Sequence, residues 1–286
     1  MSLRINTNVE AFNAHRQLVG TQTMMSQSME KLSSGLRINR AADDAAGLAI
    51  SEKMRAQING IDRAHQNAMD GISMVQTGEG ALNEVHSILQ RVRDLAVQAG
   101  SDSNNADSRK AITTEVTQLV DELARISDST NFNGIKLLDA SAGAAGDGVL
   151  SFQVGADGAA SSQITVNLAS ADIKTLATDL KADIVTTDGF ATPTLAAATI
   201  TTVDAAIKSV SSARADLGAV QNRFESTVNS LQVSAENLSA AKSRIADTDM
   251  AAEMVKYTAA NILAQAGTAM LAQANQSGQG VLQLLR

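Results

Sequence analysis

The chain has 286 residues and a formal net charge of −7, with 44% hydrophobic residues but only 2% aromatic ones, a single proline, no cysteine and no tryptophan. Ala, Leu, Ile, Val and Met must therefore supply the buried surface, and long stretches carry nothing that stops a helix, which favours extended helices over an aromatic-cored enzyme. A disulfide, a cysteine-ligated metal and a thiol nucleophile are excluded, and the acidic balance argues against nucleic acid as a partner.

The first residues, Met1 to Val9, are polar and mixed, without the apolar run of a secretory signal. Nowhere do about eighteen apolar residues follow one another, so no membrane span is expected. On these grounds alone the protein reads as cytosolic. Met25, Met29, Leu32 and Leu36 are spaced four, three and four, a weak helical stripe. Arg37, Arg40, Asp43 and Asp44 then gather two cations and two carboxylates before a helix expected to start at Ala45, with Asp43 or Asp44 as its cap. A seam of Met54, Ile58, Ile61, His65, Ala68, Ile72 and Val75 continues through Leu82, Leu89 and Ala96, which predicts a helix from about 45 to 99. Gly100 and the polar run Ser101 to Asn105 end it, and Asn104 or Asp107 is positioned to cap the next. Ile112, Val116, Leu119, Leu123 and Ile126 carry that third helix to about Ser129.

Asn133-Gly134 is a turn dipeptide, and Leu150, Phe152 and Val154 followed by Ile164, Val166 and Leu168 alternate with period two, predicting a β-hairpin. Residues 170–199 hold Pro193 and have no long pattern, so the proline marks an expected interruption. From Ile200 a heptad series runs through Val203, Ile207, Val210, Arg214, Leu217, Gln221, Phe224, Val228, Leu231, Ala235, Leu238, Lys242 and Ile245 without a slip, a helix of roughly 68 Å. Near the end, Val255, Ala259, Ile262, Ala266 and Ala269 make one stripe, and Leu263, Gly267, Met270 and Ala274 another about a quarter-turn away. Stripes of Ala and Gly bury little area against roughly 1–2 kcal/mol of backbone entropy per residue. Residues 1 to about 40 and 247 to 286 are therefore expected to order only when copies pack together. The plainer alternative is two helices docking on the chain's own bundle. The fold class is mostly α, a long coiled-coil helical bundle rod with paired terminal helices and a small β-hairpin region.

Leu32-Ser-Ser-Gly-Leu-Arg-Ile-Asn-Arg-Ala-Ala-Asp-Asp-Ala-Ala-Gly-Leu-Ala-Ile50 resembles the signature that joins the two inner domains of bacterial flagellin. Leu89-Gln-Arg-Val-Arg-Asp-Leu-Ala-Val-Gln98, Phe132-Asn-Gly134, Leu217-Gly-Ala-Val-Gln-Asn-Arg223, Leu271-Ala-Gln-Ala-Asn-Gln276 and Val281-Leu-Gln-Leu-Leu285 are similar to further motifs of that family, in order and spacing. Gly278 departs from the family pattern, where a proline is common.

The resemblance implies a structural subunit that polymerises into the flagellar filament for swimming motility. It further implies a minimal form with 1–44 as N-terminal inner-core helix and spoke and 45–134 as the N-terminal half of the rod. By the same likeness 135–199 is a β-hairpin and variable segment, 200–246 the C-terminal long helix and 247–286 the C-terminal inner-core helix. It overturns the cytosolic reading: flagellins leave the cell unfolded through the flagellar type III channel, so the expected location is secreted and extracellular, in the bacterial flagellum. The partners so implied are the chain itself, a flagellar export chaperone, the filament cap and hook–filament junction proteins, and the Toll-like flagellin receptor of animal hosts. A hook–filament junction protein of the same superfamily, or an intracellular coiled-coil scaffold, is the alternative.

Catalysis is not expected. His65 and His86 lie 21 residues apart, about 31 Å along one helix, so they cannot share a metal; His15 is remote, and no His-Glu-x-x-His pattern occurs. No cofactor is expected. The likeness assigns three sets of residues instead. Arg37, Asn39, Arg40, Asp43 and Asp44 form a spoke between inner layers. Gln90, Arg91, Leu95, Gln98 and Glu115 form a subunit-interface and innate-receptor face. Val255, Ile262, Leu263, Met270, Leu271, Val281, Leu282, Leu284 and Leu285 carry inner-core polymerisation.

Overall fold

The computed structural model describes residues 8–143, 145–186 and 189–284; the side chains of 185, 186 and 277–284 lie outside that description. Six helices dominate: α1 (Val9–Ser34), α2 (Ala45–Ala99), α3 (Ala106–Ser129), α4 (Ile173–Lys181), α5 (Pro193–Ala246) and α6 (Met250–Leu284). The strands are short antiparallel pairs, β1 (Asn131–Phe132) with β2 (Ile135–Lys136) and β3 (Val149–Gln153) with β4 (Gln163–Asn167). The chain divides into two compact units, one of 57–236 and one of 1–56 with 237–286, with both boundaries inside the long helices α2 and α5.

In the 57–236 unit the heptad positions do what their spacing predicts. Leu82, Leu89 and Ala96 of α2, Val116 and Leu123 of α3, and Val203, Val210, Leu217 and Phe224 of α5 are buried in one core. The polar seam positions Arg214 and Gln221 are half-buried beside them. The hairpin β3–β4 closes on this core, with Val166 buried and the Phe152 ring meeting Phe224 edge-on at 5.5 Å. Asn133 and Gly134 both take positive φ, 50° and 82°, the backbone that a two-residue turn between β1 and β2 requires. Ser127, buried at the end of α3, donates its hydroxyl to the Leu138 carbonyl at 2.7 Å, which also accepts from the Ile173 amide at 3.0 Å. One carbonyl thus anchors α3 to α4.

Three expectations need correction here. The cap of α3 is Asn105, whose side chain accepts from the Ser108 amide at 2.8 Å; Asn104 instead donates to the Gln98 carbonyl. The stretch 170–199, which has no long pattern, nevertheless holds a nine-residue helix, α4, capped by Asp172, whose Ile173, Ala177 and Leu180 are buried; three apolar contacts are too few to show a period in sequence. Pro193 interrupts nothing: it is the first residue of α5, where its missing amide costs no hydrogen bond.

In the other unit α1 and α6 pair antiparallel, since Asn8 Nδ2 donates to the Ala274 carbonyl at 2.8 Å while Ser28 Oγ donates to Glu253 at 2.7 Å. Asn8 also caps α1 through the Ala11 amide. Gly35, at φ 71°, ends α1 in the left-handed conformation that glycine adopts freely. The next residues bridge to the far end of the chain: Arg37 N donates to Ala246 O at 2.7 Å and Thr248 N to Gly35 O at 3.0 Å.

Candidate functional site

The α1–α6 pair has a seam that leaves a second, apolar face of both helices uncovered. The residues of α1 turned toward α6 are Ala11, Ala14, Leu18, Thr21, Met25, Ser28 and Leu32, stepping by three and four. The answering face of α6 holds Glu253, Tyr257, Ala260, Ala264, Gly267, Leu271 and Ala274. Small residues let the backbones approach: a Cβ on Gly267 would stand 3.2 Å from Leu18 Cδ1.

Neither stripe expected from sequence is this seam. Val255, Ala259, Ile262, Ala266 and Ala269 are all exposed, and of the second stripe only Gly267 and Ala274 turn inward. The stripes hold Val255, Ile262, Leu263 and Met270 among alanines and a glycine; the seam is built mostly of small and polar residues that carry little hydropathy signal. Of the assigned inner-core residues, Val255 (70%), Met270 (64%), Ile262 (60%) and Leu263 (56%) stand exposed, while Leu271 is half-buried against α1. The side chains of Val281, Leu282 and Leu284 lie outside the described residues, as does Leu285. On α1, Phe12 is 68% exposed and Val9, Val19, Met24 and Met29 are exposed with it. A groove of about 810 Å³ runs between the two helices, floored by Ala14, Leu18, Ala266 and Gly267.

Among the described residues of the pair, Glu253 is the one charged residue that is buried, 5% exposed. Ser28 Oγ donates to one of its carboxylate oxygens and Lys256 Nζ to the other at 2.9 Å. These two bonds, with the charges of Lys256 and Lys31, outweigh desolvation and hold its carboxyl below the usual glutamate range. A carboxylate whose folded pKa is depressed stabilises fully above its unfolded value and loses that contribution as pH falls through the folded one. Melting followed by circular dichroism should thus show helix stability falling below about pH 4–5, the range of an unperturbed glutamate. Glu253→Gln, which keeps an acceptor for Ser28, should flatten that dependence; an unchanged acid profile in the variant would refute the assignment.

The Arg37–Asp44 segment is organised by its own carboxylates. Asp43 accepts from the Asn39 and Arg40 amides at 3.1 and 2.9 Å, which lowers its pKa, and Asp44 caps α2 through the Gly47 amide at 2.9 Å. Gly47 lies so close to Asp44 and Ile38 that a Cβ there would clash. Arg37 donates to the Ile245 carbonyl at 2.7 Å, and Arg40 pairs with Glu30 at 2.8 Å. The side-chain nitrogen of Asn39 is buried and has no hydrogen-bond partner among the described residues.

The third set is only partly one face. Arg91 on α2 reaches Glu115 on α3 at 2.6 Å, both half exposed, and Gln90, exposed one residue before, meets His86 at 2.9 Å. Gln98 is exposed, one residue before the end of α2. Leu95 departs from this group: it is 3% exposed and packs in the core with Val92 and Ala96. Three and four residues from Val92 and Ala99, it belongs to the buried stripe by helical geometry. His65 is half-buried and meets Gln232 at 3.3 Å. Among the described residues no group of His, Asp or Glu is arranged to hold a metal, and no helix is long and apolar enough to cross a membrane.

Comparison with known proteins agrees with this geometry. Residues 5–143 match the bacterial flagellin N-terminal helical region and residues 200–285 the bacterial flagellin C-terminal helical region. The chain is 51% identical over 282 residues to a flagellin of Halalkalibacterium halodurans, covering 99% of each protein. It is 50% identical over 306 residues to a flagellin of Bacillus subtilis, covering 99% of this chain and 100% of that one. With the flagellar filament 33 kDa core protein of Treponema phagedenis it shares 47% identity over 290 residues, 99% of each. A helix pair with an uncovered apolar face and a helical bundle with its own core, on a chain matched along its length by such relatives, make this protein a member of the bacterial flagellin family, a structural subunit that self-assembles into the extracellular flagellar filament.

Proposed function

We propose that the open face of the α1–α6 pair is the surface through which copies of this chain pack along the filament, and that the pair acquires its lasting order there. The observation that carries this is exposure: Phe12, Val255, Ile262 and Met270 each leave well over half of their surface bare on helices whose own seam is mostly small and polar. Val281, Leu282, Leu284 and Leu285 extend the same role toward the C-terminus. A contact that does not close into a ring generates an open helical polymer. The division into inner core (1–44 and 247–286), rod (45–134 and 200–246) and a variable β-containing segment (135–199) belongs to this reading. So do passage through the export channel unfolded, a chaperone that holds the C-terminal helix beforehand, and handling by the cap and hook–filament junction proteins. Purified chain mixed with short filament seeds and followed by electron microscopy tests it: filaments lengthen, and chain lacking residues 275–286 leaves the seeds unchanged while its helix melting for the 57–236 unit persists. Normal filaments from the shortened chain would overturn the proposal.

The Arg37, Asn39, Arg40, Asp43 and Asp44 segment is proposed to set spacing between layers of the filament. Its ion pair with Glu30 is exposed, and an exposed pair adds little to stability because water screens it. Arg40→Ala should therefore alter swarming or filament shape with little change in monomer melting, and a collapse of the melting temperature would count against the role.

Gln90, Arg91, Gln98 and Glu115 are proposed as the face that neighbours cover in the filament and that the host Toll-like receptor reads on the free monomer; Leu95 supports it from beneath. Arg91→Ala removes the guanidinium that grips Glu115. Purified variant monomer should lose most of its signal in a receptor reporter-cell assay, and full retention would defeat the receptor role.

A further inference from the structure

The chain contains ten methionines, and their distribution is uneven. Among the described residues, the core of the 57–236 unit holds one buried methionine, Met74. Met69 on α2 is 46% exposed, and five others, Met24, Met29, Met250, Met254 and Met270, stand 47–64% exposed on α1 and α6. Among the described residues they make up five of the eleven large apolar side chains exposed on those two helices, the rest being Val9, Phe12, Val19, Val255, Ile262 and Leu263. Their placement is not scattered. The Ser28–Glu253 bond brings Met29 level with Met250 and Met254 at one end of the pair, and Met24 and Met270 both line the groove between the helices.

We propose that Met24, Met29, Met250, Met254 and Met270 form an oxidation-sensitive patch, and that converting their thioethers to sulfoxides with peroxide removes the unpolymerised chain from assembly. This rests on the reading that neighbouring copies cover the α1–α6 face. A thioether is apolar and adaptable, which suits a face that must repack against several neighbours. It is also the apolar side chain that a mild oxidant turns polar. The sulfur lone pair attacks one oxygen of hydrogen peroxide, an S–O bond forms as the O–O bond breaks, and water leaves. Sulfur loses two electrons and the peroxide gains them. The product carries a strong acceptor oxygen, which burial between apolar helices leaves without a donor. The free chain presents these sulfurs to solvent, whereas Met74 is shielded at 2% exposure.

The experiment treats purified full-length chain with dilute hydrogen peroxide, maps sulfoxide at each methionine by peptide mass spectrometry, and measures elongation of untreated seeds. Met24, Met29, Met250, Met254 and Met270 should oxidise ahead of Met74, and elongation should slow by at least about tenfold, the factor that 1.4 kcal/mol of lost contact produces. Methionine sulfoxide reductase should restore it. The variant with all five positions changed to leucine should elongate equally before and after peroxide. Oxidised wild type that elongates at the untreated rate, reductase treatment that restores nothing, or a leucine variant inhibited as strongly as wild type would each overturn the proposal. The underlying assembly reading fails separately, if untreated chain does not elongate seeds or if assembled filaments oxidise at the five positions as fast as the free chain.

Discussion

Ile262→Asp is expected to abolish seeded filament growth while leaving the helix content and melting of the free chain nearly unchanged. Ile262 is 60% exposed and touches no core, so within one chain aspartate there is solvated and costs little beyond a helix-propensity difference of a few tenths of a kcal/mol. Against a neighbouring apolar helix the same carboxylate must shed its water without a partner, which costs several kcal/mol. Each 1.4 kcal/mol is tenfold in an equilibrium constant, so elongation should fall by roughly a hundredfold or more. Light scattering of seeded samples, with circular dichroism on the monomer, checks both halves. Growth at the wild-type rate would show that this face stays in solvent in the filament.

Phe224→Ala should act in the opposite place, destabilising the 57–236 unit by about 3–5 kcal/mol without altering the exposed face of α1 and α6. The ring is fully buried, meets Phe152 of β3 at 90°, and fills the space that Gly71 leaves on α2. A Cβ on Gly71 would stand 2.7 Å from Phe224 Cζ, so Gly71→Ala should also destabilise, although an exposed helical glycine replaced by alanine gains about 1 kcal/mol. Urea unfolding measures both. Loss of less than about 1 kcal/mol in Phe224→Ala, well under the usual cost of such a truncation, would mean that the hairpin and long helices repack without the ring.

The existence of the two long helices and the third was legible because large residues such as Leu82, Leu89, Leu123, Leu217 and Phe224 recur at heptad spacing and are the ones buried, although α5 begins at Pro193, ahead of the first heptad residue Ile200. The α1–α6 seam was not, because Thr21, Ser28, Glu253 and Ala264 sit where a hydropathy pattern shows little, and the visible stripe was the outer face. What that stripe did carry was the correct sense that the terminal helices have a second apolar side. Arg91 and Glu115 lie 24 positions apart, on two different helices, so no helical period connects them; only likeness to a family joined them. Leu95 was grouped with them because a motif orders neighbours without saying which way each points, and three positions from Val92 it points inward. Asn105 rather than Asn104 caps α3 because a run of polar residues fixes the existence of a helix start more firmly than its exact residue.

The hydrogen bond from Ser28 to Glu253 spans 225 positions and that from Asn8 to Ala274 spans 266. The helix that α1 packs against is thus written at the opposite end of the message. At 5–20 residues per second, a nascent chain exposes the first helix for roughly 10–50 s before its mate exists. By the last part of that interval every residue of the 57–236 unit, whose core lies wholly within it, has been made. The order of synthesis therefore places α6 last: a chain cut short between 237 and Met250 holds the whole 57–236 unit and none of α6.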